Sequence, residues 1–209
     1  MEFQEWGKIP RLTRECTITE KIDGTNAQVY FVDLRAVGGI DRGQLGVEFS
    51  DADMIATVSI AGIIHGAFAG SRTRWVTPEN DNFGWAKWVL QNLDELAFGL
   101  GPGHHYGEWW GSGIQRGYNQ KTKRFSLFNT HKWTDPDRRP ACCDVVPVLY
   151  QGEFDTAVCG AAITALRISG SVAAPGFMKP EGIIVYHHAA GSYFKKTLEK
   201  DDKPKGSNE

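Results

Sequence analysis

The sequence predicts an α+β fold within one ordinary domain. Short strand-like segments outnumber helical ones, and the two kinds do not alternate as they do in a doubly wound parallel sheet. A length of 209 residues suits one domain and is enough to bury on the order of two-thirds of the unfolded surface. Charged residues at 23% and hydrophobic residues at 41% exclude disorder or a fibre as a description of the whole chain.

The elements follow in order. Thr19 to Val32 reads as a hairpin or strand-turn-strand, with Asp23-Gly24 as the turn and Ala27 to Val32 as a buried strand. Leu45 to Phe49 is a short strand. Asp81 to Phe98 is the best helix, with Asp81 at its N-cap and Trp85, Val89, Leu93 and Leu96 at helical spacing. Gly99 and Gly101-Pro102-Gly103 stop it. His105 to Trp110, Arg124 to Phe128 and Val145 to Tyr150 read as strands, and Phe154 to Ile168 as a second helix. Gly182 to His187 and Ser192 to Leu198 form a final strand pair around Ala189-Ala190-Gly191, and a polar tail follows from about Glu199.

Charge and cysteines narrow the function classes. The 23 basic and 25 acidic side chains give a net charge of -2, which argues against gripping duplex nucleic acid by bulk electrostatics and leaves room for a local basic cleft. The N-terminal stretch is charged and lacks the apolar core of a secretory signal. Met54 to Gly70, the longest mildly apolar run, is too short and interrupted for a membrane span. Cys16, Cys142, Cys143 and Cys159 form no Cys-x-x-Cys and read as free thiols in a reducing compartment, hence the cytoplasm.

Glycine is in surplus, at 24 residues where average usage gives about 15, and there are seven tryptophans. Much of this surplus falls in chemically unusual segments. In Glu20-Lys21-Ile22-Asp23-Gly24-Thr25-Asn26, a lysine and an aspartate two apart on a strand share a face. A lysine partly desolvated in a cleft frees its amine as a nucleophile; the same residues also fit an exposed strand end capped by an Asp-Gly turn. Gly70-Ser71-Arg72-Thr73-Arg74 sets two arginine forks beside a glycine, suited to phosphate or ribose and equally to a solvated loop.

The densest segment runs from Gly107 to Tyr118, with four glycines and two tryptophans between Gly107 and Gly117. It reads as a binding cleft in which Glu108 accepts hydrogen bonds from sugar hydroxyls, while Trp109 and Trp110 are either platform or core. In Arg124-Phe125-Ser126-Leu127-Phe128-Asn129 the side chains alternate, and a phenylalanine there suits stacking on a base as well as a half-buried strand. Glu181, at a strand start, suits a hard divalent cation. Lys195 and Lys196 suit phosphate charge.

Taken in order, Lys21-Ile22-Asp23-Gly24, Ser71-Arg72, Gly107-Glu108, Phe125 to Asn129, Glu181-Gly182 and Lys195 resemble the motif series of the covalent nucleotidyltransferase superfamily. The closest likeness is to ATP-dependent RNA ligases of the compact bacteriophage type, over about Lys8 to Lys196. The resemblance implies a nucleotidyltransferase (ligase adenylation) domain over 1–198, with antiparallel sheets flanked by helices, and a polar tail over 199–209. It implies ATP with Mg²⁺, or Mn²⁺, and ligation of 5′-phosphorylated and 3′-hydroxyl nucleic acid ends, RNA preferred. A monomer, no membrane, and the cytoplasm (the host's, for a phage protein) complete the expectation.

Roles carried over by the resemblance fall on individual residues. Lys21 would attack the α-phosphorus of ATP to form lysyl-AMP, and Asp23 would organise the pocket near the ribose. Glu20, Ile22 and Asn26 of the same signature would line the nucleotide. Arg72 resembles the arginine on ribose or phosphates, Glu108 the glutamate on the ribose hydroxyls, and Phe128 the aromatic on adenine. Glu181 resembles the glutamate near the metal, and Lys195 the first lysine of the last motif, on the α-phosphate. Lys8 or Arg11 would reach pyrophosphate or nucleic acid.

Two departures stand against the pattern. Where ligases carry lysine-x-lysine, Lys195-Lys196-Thr197 has threonine at the second position, with Lys196 as a candidate to compensate. The OB domain of DNA ligases and capping enzymes and the N-terminal module of NAD-dependent ligases are both absent from the chain, which favours ATP and RNA-type or nick-sealing chemistry. The alternatives are a self-adenylylating enzyme serving another acceptor or nicked DNA, and a nucleic-acid-binding relative with weak catalysis.

Overall fold

Period-two alternation of apolar residues and two amphipathic helical stretches determine the layers of this chain. The computed structural model describes residues 2–37 and 50–199. Its first part runs β1 (Glu15–Lys21), β2 (Thr25–Asp33), α1 (Leu34–Val37), β3 (Ala56–Ile60), β4 (Ile63–Gly70), β5 (Trp75–Val76), α2 (Trp85–Gln91) and α3 (Leu93–Leu100). Then follow β6 (Gly103–Gly111), β7 (Lys123–Leu127), α4 (Thr130–Trp133), β8 (Cys143–Val145), β9 (Val148–Glu153), α5 (Thr156–Ser169), β10 (Gly182–His187) and β11 (Ser192–Thr197). The architecture is α+β with largely antiparallel sheets and flanking helices, as the sequence predicts. The expected strand at Leu45 to Phe49 and the tail from 200 onward lie outside the described residues.

Two compact units share the chain: Met1–Ile22 with Val146–Glu209, and Asp23–Val145. In the first, a four-stranded antiparallel sheet has the order β11-β10-β1-β9. Cys16 and Ile18 on β1, with Ile183 and Val185 on β10, meet Ala162, Ile163 and Leu166 of α5 in one apolar layer. The Asp155 carboxylate caps α5 by accepting from Ala157 N at 2.8 Å. The other face of this sheet carries Thr17, Thr19 and Lys21.

In the second unit the sheet order is β3-β4-β2-β6-β7-β8, with β5 added on β4; β7 and β8 are the parallel pair. Ala27, Val29 and Phe31 of β2, Trp109 of β6, and Phe125 and Leu127 of β7 pack on Trp85, Ala86 and Val89 of α2 and Leu96 and Ala97 of α3. Trp85 lies 5.3 Å from Trp109, ring centre to ring centre, in this layer. The opposite face carries Asn26 and Gln28 of β2 with Tyr106 and Glu108 of β6, an alternation set by the pleat.

Four local readings are corrected. Thr19 to Val32 is strand-turn-strand and not a hairpin: β1 pairs with β9 and β10, and β2 with β4 and β6. Each strand has an apolar layer of its own, α5 for Ile18 and α2 for Val29, and the two join different sheets. The helix expected from Asp81 to Phe98 is two helices, broken at Asn92, whose Nδ2 donates to Trp88 O at 2.8 Å. Asp81 still serves the first of them, accepting from Ala86 N and Lys87 N, although the capping position is Gly84.

Gly99 is helical, and the stop comes at Gly101, with φ 75°. Val145 to Tyr150 is not continuous either. Pro147 interrupts it, and β8 and β9 belong to different sheets. The cysteines are free thiols, as read, and no described helix is long and apolar enough to cross a membrane.

Truncating Leu166, 1% exposed on α5, to alanine is expected to cost about 2–5 kcal/mol of stability. Asp155→Ala, which removes only the cap, should cost about 1 kcal/mol. Urea unfolding of both variants checks the order.

Candidate active site

The candidate residues fall into two groups, one in each unit. Glu20, Lys21, Ile22, Glu181 and Lys195 belong to the first; Asp23, Asn26, Arg72, Glu108 and Phe128 belong to the second.

Lys21 closes β1, and its Nζ donates to Glu181 Oε2 at 2.5 Å. The Lys21 side chain is 19% exposed and that of Glu181 8%, so the pair is largely screened from solvent. Register brings the two near each other, since Gly182, the residue after Glu181, lies opposite Lys21. Gly182 in turn lies opposite Thr197; two rows on, hence on the same face, Thr19, Ile184 and Lys195 are in line. Facing residues of an antiparallel ladder share a face, so Lys195 and Thr197 stand on the Lys21 side. A side chain at position 182 would run into the Lys196 carbonyl. Lys196 pairs with Ile183 in the row of Glu20; it therefore lies on the α5 side, turned away from Lys21.

Glu20 behaves differently from its neighbour. The pleat sends its carboxylate to the α5 side, where it accepts from Ser171 Oγ at 2.6 Å, Val172 N at 2.8 Å and Ala173 N at 2.9 Å. Burial pushes this carboxyl above the usual range, while the three hydrogen bonds pull it down. Its side chain thus fixes a loop rather than sharing the Lys21 face. Ile22 is buried, and Lys8 and Arg11 lie in an exposed stretch without regular structure.

No group of three or more His, Cys, Asp or Glu side chains gathers to hold a metal among the described residues. A single carboxylate, Glu181, suits Mg²⁺, which keeps several waters and takes only one or two carboxylates beside a substrate phosphate.

In the second unit the backbone just after the lysine signature is tightly held. Asp23 N donates to Tyr118 Oη at 2.9 Å, and Gly24 N donates to Glu108 Oε1 at 3.0 Å. Arg116 Nε donates to Asp23 Oδ2 at 3.0 Å. Gly24 must be glycine, because a Cβ there would lie 2.5 Å from Trp109 O and 2.7 Å from Trp110 Cβ. Asn26 faces Glu108 across the β2–β6 ladder, on the face away from α2 and α3.

Phe128 follows β7 and donates its N–H to Tyr106 O at 2.9 Å, which extends the β6–β7 ladder. Phe128 and Tyr106 remain 36% and 52% exposed, open enough for ring stacking. Arg72 is exposed in the loop after β4. The two tryptophans of the glycine-rich segment are buried: Trp109 in the α2 layer, and Trp110 with its Nε1 donating to Ser126 Oγ at 2.9 Å. Both are core rather than platform.

Tyr106, Arg116 and Tyr118 are contributors that the sequence reading did not single out. For Tyr106 the signal was its place two residues before Glu108, hence on the same face; for Arg116 and Tyr118 only their membership of the Gly107 to Tyr118 segment.

A family model described as RNA ligase matches residues 14–197. Comparison with curated protein sequences yields no significant match. Among solved structures, the RNA ligase of Naegleria gruberi is similar in three variant forms. One, with ATP and Mn, has a TM-score of 0.56 at 18% identity, covering 90% of this chain and 51% of that chain. A second, also with ATP and Mn, gives 0.55 at 17% identity and covers 91% and 52%. A third, with AMP and Mn, gives 0.55 at 18% identity and covers 91% and 53%. The likeness is one of fold, and the chain spans about half the length of those ligases.

Glu20→Ala is expected to lower stability by about 1–3 kcal/mol, because Ser171 Oγ and the amides of Val172 and Ala173 lose their buried acceptor. Chemical denaturation checks it, with Glu15→Ala, exposed at the start of β1, as a control expected to stay within about 0.5 kcal/mol of the parent.

Proposed function

The chain belongs to the RNA ligase family, a family of nucleotidyltransferase enzymes, and from that premise we propose that it is an ATP-dependent ligase joining 5′-phosphate and 3′-hydroxyl ends, RNA by preference, through AMP carried on Lys21. The observation that carries this reading is the Lys21–Glu181 pair at 2.5 Å, on a sheet face that also bears Lys195. A lysine and a carboxylate largely withdrawn from water, with a further cation two rows away on the same face, are what an amine nucleophile meeting a polyanion needs.

In the first step the Lys21 nitrogen bonds to the α-phosphorus of ATP, the bond to the bridging oxygen breaks, and pyrophosphate leaves. To attack, the ammonium first passes one proton to Glu181 Oε2, the acceptor already in hydrogen-bond contact with it; a second leaves with pyrophosphate, and the third stays on the nitrogen of lysyl-AMP. An oxygen of a 5′-phosphate then attacks the AMP phosphorus and Lys21 departs. In the third step a 3′-hydroxyl attacks the activated 5′-phosphate, forms the new phosphodiester and releases AMP. Lys195 offsets charge at the α-phosphate, Arg72 contacts ribose or phosphate, Glu108 and Asp23 serve the ribose, and Phe128 stacks on the base. Glu20, Ile22 and Asn26 complete the nucleotide's surroundings, Glu20 through its backbone.

Glu181 would hold Mg²⁺ or Mn²⁺, which supplies charge neutralisation on the phosphates. The working domain is 1–198, of the compact phage type, monomeric and cytoplasmic. Thr197 in the Lys21 row favours a second reading, an enzyme that adenylylates itself slowly or serves another acceptor.

Incubation with ATP, GTP or NAD⁺, each labelled in the transferred nucleotide, followed by denaturing gels, tests the lysine chemistry. Label from ATP is expected on the protein band, lost in Lys21→Ala and lost on chelation of divalent cations; label undiminished in Lys21→Ala overturns the reading. Sealing assays on single-stranded and nicked RNA and DNA with 5′-phosphates then define the acceptor, and sealing of none of them removes the ligase activity. Thr197→Lys is expected to raise the rate of self-adenylylation about tenfold.

A further inference from the structure

We infer that Arg116 and Tyr118 are positioning residues that set Glu108 and Asp23 against the ribose, and that the loop between β6 and β7 is shaped to deliver them. This inference rests on the reading of Glu108 as the ribose ligand. The loop is the most strained segment of the described chain: Gln115, Tyr118 and Asn119 all have left-handed backbones, at φ 45°, 49° and 54°, a region that side-chain-bearing residues seldom adopt. Strain of this kind persists where the surroundings enforce it, and it gathers at functional sites.

The enforcing contacts are visible. Tyr118 is fully buried, 0% exposed, with its ring edge-on to Trp110 at 5.3 Å, and Gln120 Nε2 donates to its carbonyl at 3.0 Å. So fixed, its hydroxyl accepts the N–H of Asp23 at 2.9 Å. Two residues earlier on the same loop, Arg116 Nε holds Asp23 Oδ2 at 3.0 Å, with the two side chains 27% and 20% exposed. One loop thus holds Asp23 by backbone and side chain together. The next residue, Gly24, hands that placement on through its N–H to Glu108 Oε1 at 3.0 Å.

No slack remains in this relay. The space beside Gly24 is closed by Trp109 O and Trp110 Cβ, and its N–H is bound to Glu108 Oε1, so a shift of Asp23 is passed along the backbone toward Glu108. A carboxylate displaced by about 1 Å from a hydroxyl forfeits most of a hydrogen bond, and such misplacement can cost up to about 100-fold. The consequence falls on sugar discrimination. Glu108 out of place gains little from a 2′-hydroxyl, whereas a loop that merely stabilised the fold would leave the choice of sugar alone.

The test compares self-adenylylation with ATP and with 2′-deoxy-ATP, as kcat/KM, in the full chain and in Arg116→Ala, Arg116→Lys, Tyr118→Phe and Glu108→Ala, each with its thermal midpoint. The parent is expected to prefer ATP, and Glu108→Ala to lose that preference. Arg116→Ala and Tyr118→Phe are expected to lower it about tenfold, and Arg116→Lys to keep an intermediate value. Tyr118→Phe and Arg116→Lys, the mildest changes, carry the test if Arg116→Ala does not fold. If Glu108→Ala loses the preference while Tyr118→Phe and Arg116→Lys retain it in full, the inference is overturned and the ribose reading stands. If the parent shows no preference, or Glu108→Ala keeps it, the ribose reading fails and the inference falls with it.

Discussion

The pleat of β1 is the constraint on which the first unit depends. Glu20 and Lys21 are neighbours in sequence, and a strand must send them to opposite faces. Glu20 takes the α5 side, where its carboxylate meets Ser171, Val172 and Ala173; a buried carboxylate without those donors would not be tolerated. Lys21 therefore has to stand on the other face. There it meets Glu181, the residue before its β10 partner Gly182, and β11 adds Lys195 two rows away. A slip of one residue in either ladder would exchange Lys195 for Lys196 on the Lys21 face.

In the second unit the corresponding constraint is lack of space. Gly24 passes so close to Trp109 and Trp110 that no side chain fits there, and its N–H donates to Glu108. The tryptophans that make the segment from Gly107 to Tyr118 look like an aromatic platform are instead what presses the backbone into place. The segment's hydrogen bonds to Asp23 and Gly24 come from its polar groups, Glu108, Arg116 and the hydroxyl of Tyr118, beside tryptophan rings buried in the core. Exposed aromatic surface lies nearby, at Tyr106 and Phe128, across the β6–β7 ladder.

Much of this was legible in one dimension. Strand-like runs located β2, β6, β7, β10 and β11, helical spacing located the stretch that holds α2 and α3, and a second helical stretch located α5, because apolar patterns record which side of an element meets apolar neighbours. The family resemblance followed from motif order alone, and the match over residues 14–197 agrees with it. Local sequence could not show that β1 and β2 part company at Gly24, that Asn92 breaks a helix of unbroken periodicity, or that Pro147 divides β8 from β9. Partner choice depends on which layer buries each face, a sum over residues far apart in the chain.

The chemical inventory is written in residue order: a lysine in Lys-x-Asp-Gly, glutamates at 108 and 181, a lysine at 195 and a threonine where the resembling ligases carry a second lysine. These are properties of residue type and order. Only the tertiary structure decided their use, by pairing Lys21 with Glu181 across 160 positions of chain, committing Glu20 to a loop, turning Lys196 away and recruiting Arg116 and Tyr118 to Asp23. The physical reason is that hydrogen bonds and ion pairs depend on distance and direction at the ångström scale, and those are set by strand register and side-chain packing among segments that the sequence leaves far apart.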